Sequence, residues 1–185
     1  GKRGVPAPWF NMSKLRHDNW VDLTHYFGVE DAVYYGNTFV YSPEKQVVHV
    51  RVGTSGSLKT FLNDEEIISV FEERNNDLDT YIVETELQKG WNRLLIKCGY
   101  SEITQCNYLV RITDKKGDAL SDLKYETKSK KYTSKPGAPL KSIRNFAEVY
   151  FEEQIEVNPS HIENYLLLAD CYMRNDKAIK AELAL

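Results

Sequence analysis

Cysteine is scarce in this 185-residue chain: Cys98, Cys106 and Cys171 are too few to staple a small scaffold, and none lies in CxxC spacing. No apolar stretch approaches the roughly 20 residues that a membrane helix requires. The longest uncharged run, Ala32 to Pro43, is broken by Gly36, Asn37 and Ser42. A basic surplus is also missing, since 24 Lys+Arg against 27 Asp+Glu leave a formal charge of -3, with no overall field to draw nucleic acid. The histidines His17, His25, His49 and His161 are scattered, none at metal-ligand spacing with another His, Cys or carboxylate, so neither a metal nor another cofactor is implied. There is no signal-peptide pattern. A chain that starts Gly1-Lys2-Arg3-Gly4 without methionine is expected to be a processed or excised part of a longer protein.

What the chain does have is enough apolar side chain to pack a core, with 42% hydrophobic and 12% aromatic residues against 28% charged. Residues 1 to about 30 set Trp9, Phe10, Trp20, Tyr26 and Phe27 among polar residues, and Pro6 and Pro8 oppose an early helix, so an irregular packed lead-in is expected. From about 33 to 113 the period is two. Val48, Val50 and Val52 alternate with Val47, His49 and Arg51, and Tyr81, Val83 and Leu87 alternate with Ile82, Glu84 and Glu86. Similar runs cover Tyr34–Tyr41, Leu58–Leu62, Ile67–Phe71, Trp91–Cys98 and Tyr108–Thr113, separated by turn formers such as Asn63-Asp64 and Lys89-Gly90. Seven or more short strands predict an antiparallel β-sandwich or barrel over residues 1–120.

After residue 120 the texture changes. Residues 121–140, rich in Lys, Ser, Thr and Tyr and ending in Pro136-Gly137-Ala138-Pro139, read as a linker. Over 141–185 the period becomes helical, with Ile143, Phe146, Ala147, Tyr150, Phe151 and Ile155 on one stripe and Tyr165, Leu168, Ala169 and Tyr172 on another. Asn158-Pro159-Ser160 separates two helices, with Ser160 as the expected N-cap and Glu163 completing a capping box.

Tyr165-x2-Leu168-Ala169-x2-Tyr172, followed by Ala181-x3-Leu185, resembles the tetratricopeptide repeat. Stepping back one repeat, Ala147 and Phe151 match the preceding unit and Pro159 falls where its proline belongs. The first helix of that earlier unit would run through Pro136, Gly137 and Pro139, so it is at most a half-repeat, and the later unit stops inside its second helix at Leu185. The resemblance implies stacked helix pairs, with Tyr165, Leu168, Ala169, Tyr172, Ala181, Leu183 and Leu185 at repeat interfaces, and a natural protein that continues. An ordinary helical hairpin packed on the sandwich is the alternative.

Two further segments, Phe61-Leu62-Asn63-Asp64-Glu65-Glu66-Ile67 and Leu87-Gln88-Lys89-Gly90-Trp91-Asn92-Arg93-Leu94-Leu95-Ile96-Lys97, resemble a hairpin and a strand of galactose-binding-like jelly rolls, with Asp64 in place of the usual glycine. The fold this implies is mainly β with an α-helical tail: a jelly-roll sandwich followed by the start of a tetratricopeptide-like array. It further implies a sugar platform among Trp9, Trp20, Tyr26, Tyr34 and Tyr35, unless these aromatics fill the core, and a periplasmic or extracellular setting like that of large exported bacterial proteins.

No catalytic constellation emerges. Asp64-Glu65-Glu66 and Glu72-Glu73 read as solvated hairpin decoration, Gly53-Thr54-Ser55-Gly56-Ser57 lacks the lysine of a phosphate loop and the frame of a nucleophile elbow, and the lysines of the linker read as solvated. Cys98 and Cys106, on successive strands, are expected to face each other across a hairpin as buried thiols, or as a disulfide if the protein is exported. The expected function is non-catalytic: a scaffold binding a protein or neighbouring domain through its helices, with self-association through residues 160–185. A carbohydrate-binding module, or an accessory domain to a hydrolase- or transglutaminase-like enzyme, are the alternatives.

Overall fold

Alternation of apolar and polar residues becomes two facing sheets because each strand has one face to bury. The computed structural model describes residues 4–12, 17–28, 31–134 and 141–185. Its strands are β1 (Val21–Asp22), β2 (Ala32–Ser42), β3 (Gln46–Ser55), β4 (Ser57–Leu62), β5 (Glu65–Val70), β6 (Tyr81–Leu87), β7 (Gly90–Tyr100), β8 (Asn107–Thr113), β9 (Lys124–Glu126) and β10 (Lys141–Ile143). Its helices are α1 (Leu23–Phe27), α2 (Phe146–Val157), α3 (Ile162–Arg174) and α4 (Ala178–Ala184). One sheet has the order β1-β8-β3-β6-β10 and the other β5-β4-β7-β2-β9, and every pairing is antiparallel. The protein is a mainly β, two-sheet sandwich with a helical C-terminal part.

Register decides which side chains meet. Val50 lies opposite Val83 on one side and Ile112 on the other, so all three share the inner face of the first sheet, and all are buried. Val40, Leu58, Leu62, Leu94 and Ile96 supply the facing layer from the second sheet. At full burial each such side chain contributes roughly 1.5–3 kcal/mol. On the outer face of the first sheet, one residue out of phase, His49 lies opposite Glu84 and Thr113, and Arg51 opposite Arg111. Gly36 faces inward, and the Tyr108 hydroxyl occupies the space a Cβ there would need.

The two segments resembling galactose-binding-like domains meet in the fold. Asn63 and Asp64 adopt left-handed backbone (φ 50° and 70°) and turn β4 into β5, a geometry that asparagine and aspartate tolerate better than most residues. The Asn63 amide donates to Asn92 Oδ1 at 2.7 Å, and Asn92 is fully buried at the start of β7. Asn92 also accepts from the Gln88 amide (2.8 Å) and donates to the Gln88 and Gly90 carbonyls (2.8 and 3.1 Å), closing the β6–β7 turn. A buried amide with every group satisfied ties the β4–β5 hairpin to the turn by which β6 crosses to β7 in the other sheet.

Several local expectations change. Ile143 belongs to β10 opposite Ile82, not to the helical stripe, because the edge of β6 offers backbone partners and α2 begins only where Asn145 Oδ1 caps the Ala147 and Glu148 amides. The residue at the N-cap of α3 is His161, not Ser160, and it makes no side-chain cap bond; Ser160 Oγ donates to Asn158 Oδ1 instead. Cys98 and Cys106 do not face each other across a hairpin, since β7 and β8 lie in different sheets. Both are free thiols in the interior, and their mutual hydrogen bond and burial push the Cys98 thiol well above its ordinary value. In the 121–140 stretch, Leu123 is buried and β9 pairs with β2. Pro136-Gly137-Ala138-Pro139 lies outside the described residues.

Replacing Asn92 by alanine strands the Gln88 backbone and the Asn63 amide inside the core. Asn92→Ala should therefore lower the urea-unfolding free energy by at least about 2 kcal/mol. A loss below about 0.5 kcal/mol would show the network to be dispensable.

Candidate functional site

The helical tail has a small core of its own. Leu168, Ala169, Tyr172 and Ala181 are buried, with Phe151, Ile155 and Ala184 packed against them. Of the residues expected at repeat interfaces, these first four lie between α2, α3 and α4. Tyr165 is half-buried with its hydroxyl donating to the Pro159 carbonyl at 3.1 Å, while Leu183 and Leu185 stand exposed.

Polar contacts complete the packing. Glu148, buried in the first turn of α2, accepts from Lys177 Nζ at 2.5 Å, which joins α2 to the α3–α4 turn. Glu152 accepts from Arg144 at 2.6 and 2.7 Å and from the Tyr172 hydroxyl at 2.9 Å. The Arg144 guanidinium holds the Glu152 carboxyl below its ordinary range, against the opposing effect of partial burial. Burial, then the bond to Glu152, push the Tyr172 hydroxyl up to about 12.

Asn175 fastens this helical part to the sandwich. Its side-chain oxygen accepts from the Asp77 amide at 3.1 Å and from the Thr80 hydroxyl, and its amide group donates to the Cys171 carbonyl at 3.0 Å. Arg174 pairs with Asp77 at 2.6 Å, and Arg74 donates to the Asp176 carbonyl at 3.0 Å. No local sequence pattern singles out Asn175, because its partners lie 98 and 95 residues away.

A second apolar stripe runs along each long helix. On α2 it is Phe146, Tyr150 and Val157, and on α3 it is Ile162, Leu166 and Met173, all exposed. At 100° per residue each set falls within about 40° of arc. Ile179 and Leu183 repeat the spacing on α4, with exposures of 76% and 81%. On α3 the stripe lies roughly a quarter turn from the buried Leu168, Ala169 and Tyr172, so the helix has two apolar flanks and only one is covered. Exposed apolar residues scattered singly need no explanation, but the same spacing on three helices does.

The aromatic residues considered for a sugar platform are not gathered on one surface. Tyr34 is buried and stacks on Phe27 at 5.0 Å, whereas Tyr35, next along β2, points to the other face and is exposed. Trp20 packs over Gly53, where a Cβ would lie 2.7 Å from its ring; Tyr26 meets His25 edge-on at 5.6 Å; and Trp9 is exposed in the lead-in. The acidic residues are more structural than decoration. Glu73 accepts from the Ser101 and Glu102 amides at 3.1 and 2.8 Å, and Asp64 accepts from Tyr132 and Ser134 at 2.9 and 2.8 Å. Asp64 thereby holds residues 127–134 across the outer face of the second sheet, where Lys130 sits 4.9 Å from the Trp91 ring centre. Among the described residues, no three of His, Cys, Asp and Glu stand together to hold a metal ion, and no helix is long and apolar enough to cross a membrane.

The Glu152–Tyr172 contact gives the tail a pH window. A depressed carboxylate contributes stability above its ordinary 4.5 that is lost as pH falls through the folded value, and a raised tyrosine contributes stability below its ordinary 10.0 that is lost as pH rises toward about 12. Protection of the α2 and α3 amides, each exchange rate taken relative to that of an unstructured peptide at the same pH, should be greatest between about pH 5 and about pH 10 and fall on both sides. In Glu152→Gln the acid limb should disappear; an unaltered acid limb would assign it to other carboxylates.

Compared with protein-family models, with curated proteins and with solved structures, the chain gives no match.

Proposed function

We propose that this protein is a non-catalytic interaction module: a jelly-roll sandwich of the galactose-binding-like kind that carries the start of a tetratricopeptide-like array and docks a helix pair with an apolar face onto α3 and α4. The observation that carries this reading is the uncovered stripe recurring on each of the three helices at the same spacing. A helix with two apolar flanks is suited to packing between two neighbours, as in a stacked repeat. The bare flank also adjoins the buried α2–α3–α4 contact, so an added pair would extend a packing that exists. The small residues Ala169 and Ala181, buried between α3 and α4, support the repeat reading.

For the sandwich, strand order supports the finer assignment. β1-β8-β3-β6 faces β5-β4-β7-β2, so that apart from the β4–β5 hairpin each successive strand crosses to the opposite sheet, as expected for a double Greek key. The carbohydrate reading gains no comparable support, because its five aromatic residues do not converge.

Appending a consensus tetratricopeptide helix pair after Leu185 tests the proposal. The fused pair should stack and raise the melting temperature of the helical part by at least about 4 °C. The double substitution Ile179→Glu and Leu183→Glu should abolish the gain while the sandwich still unfolds at its original temperature. An unchanged melting temperature with a mobile fused pair would overturn the reading. So would concentration-dependent dimerisation of the unfused chain that the double substitution removes, which would assign the stripe to a second copy.

A further inference from the structure

Between the outer face of the first sheet and the helices α2 and α3 runs a groove of about 630 Å³. Six cationic side chains line it: Arg51, Arg111, Lys115, Lys116, Arg144 and Arg174. Four carboxylates answer them. Asp79 takes both Arg51 and Arg111, Asp77 takes Arg174, Glu84 takes Lys115, and Glu152 takes Arg144. Lys116 lies in the field of Asp114 at its own turn, so six cations stand against five carboxylates, and the excess is the second arginine of the Arg51–Arg111 pair that shares Asp79.

The surplus sits where folding gains least from it. Arg51 and Arg111 are directly opposite on β3 and β8, and like charges at such a pair destabilise a sheet. Asp79 offsets this from a left-handed backbone position at φ 58°. The Arg51 side chain is only 10% exposed; it uses Nε on Thr113 at 2.9 Å and one terminal nitrogen on Asp79 at 3.4 Å. Its other terminal nitrogen, beneath Gly117, has no hydrogen-bond partner among the described residues. His49, also lining the groove, is buried with Nε2 3.4 Å from Glu84 and no partner for Nδ1 among the described residues. At the wall of the groove His49 thus keeps a buried ring nitrogen without a partner, which is costly unless something supplies one, and Arg51 keeps guanidinium donors to spare. Beside them Ile143, Phe146 and Leu78 add apolar surface, with Phe146 and Leu78 exposed.

The geometry points to a binding site for an acidic peptide segment, in which a side-chain carboxylate meets the Arg51, Arg111 and Lys116 cluster and an adjacent apolar side chain lies against Phe146. A guanidinium presents paired donors that match a carboxylate, and the low exposure of Arg51 limits competition from water. The site shares Phe146 with the stripe on α2 but none of the α3 and α4 residues onto which the helix pair would dock, so either can fail without the other.

Calorimetric titration of the full chain with three probes tests this: a short peptide alternating aspartate or glutamate with leucine and phenylalanine, its asparagine and glutamine counterpart, and inorganic phosphate. The acidic peptide should bind with Kd below about 1 mM at low salt and weaken at least about fivefold when salt rises from 0.05 to 0.3 M, values set by the handful of charges engaged and their screening. Lys116→Gln, at an exposed turn position, and Arg111→Gln should each weaken it about three- to tenfold, the range of one charge-assisted contact. No binding by the acidic peptide would overturn the proposal. Equal binding by the amide peptide would remove the charge recognition, and phosphate binding as tightly as the acidic peptide would reduce the site to one for small oxyanions. Binding that neither variant alters would place it elsewhere on the surface, and Lys116→Gln settles this even if Arg111→Gln fails to fold.

Discussion

The side-chain amide of Asn175 holds the two halves of this protein in one arrangement. Buried at the end of α3, it bonds inward to its own helix through Cys171 and outward to the loop before β6 through Asp77 and Thr80. Hydrogen bonds are directional, so this contact fixes orientation as well as proximity. The helices meet the sandwich mainly through such polar links, including Arg174 to Asp77, Arg74 to Asp176 and Asn145 to the Asp79 carbonyl. Their own apolar core stays within the tail. The groove beneath α2 and α3 exists because the junction holds those helices over the sheet, and the direction faced by the uncovered stripe follows from the same constraint.

Much of the fold is legible in the sequence, for a reason that also explains the failures. Each of the seven strands expected from period-two patterns is present, since a sheet with one face on the core imposes alternation on its residues. β9 and β10 escape because three residues are too few to show a period, and Ile143 happens to extend the helical spacing of Phe146 and Ala147 backwards. Tyr34 and Tyr35 illustrate a different limit. Neighbours on a strand point to opposite faces, so a pair of adjacent aromatics there cannot form one platform, yet which of the two is buried follows only from register.

The candidate sites were legible in unequal parts. Spacing shows that α2 is apolar but not which side is covered: the sequence groups Phe146 and Tyr150 with Phe151 and Ile155, and only the packing of α3 separates the exposed pair from the covered one. The groove cannot be read from spacing at all, since Arg51, Asp79, Arg111 and Arg174 are brought together by strand register and by the Asn175 junction, and no local window contains any two of them. Asp64 shows how a departure from a familiar pattern gains meaning only in three dimensions: its carboxylate anchors Tyr132 and Ser134, which glycine at the same turn could not do.

The shortness of the outermost strands has a consequence for how the molecule meets its neighbours. β1 has two residues, β9 and β10 three each, and they end three of the four sheet edges formed by the described residues. The fourth edge, β5, is paired across a register shift between Thr60 and Phe61. A long, flat edge offers a row of unpaired backbone groups onto which another chain's strand can add, and brief or irregular edges deny that template. At the positions they cover, these short or irregular edges make a poor template for strand-to-strand growth.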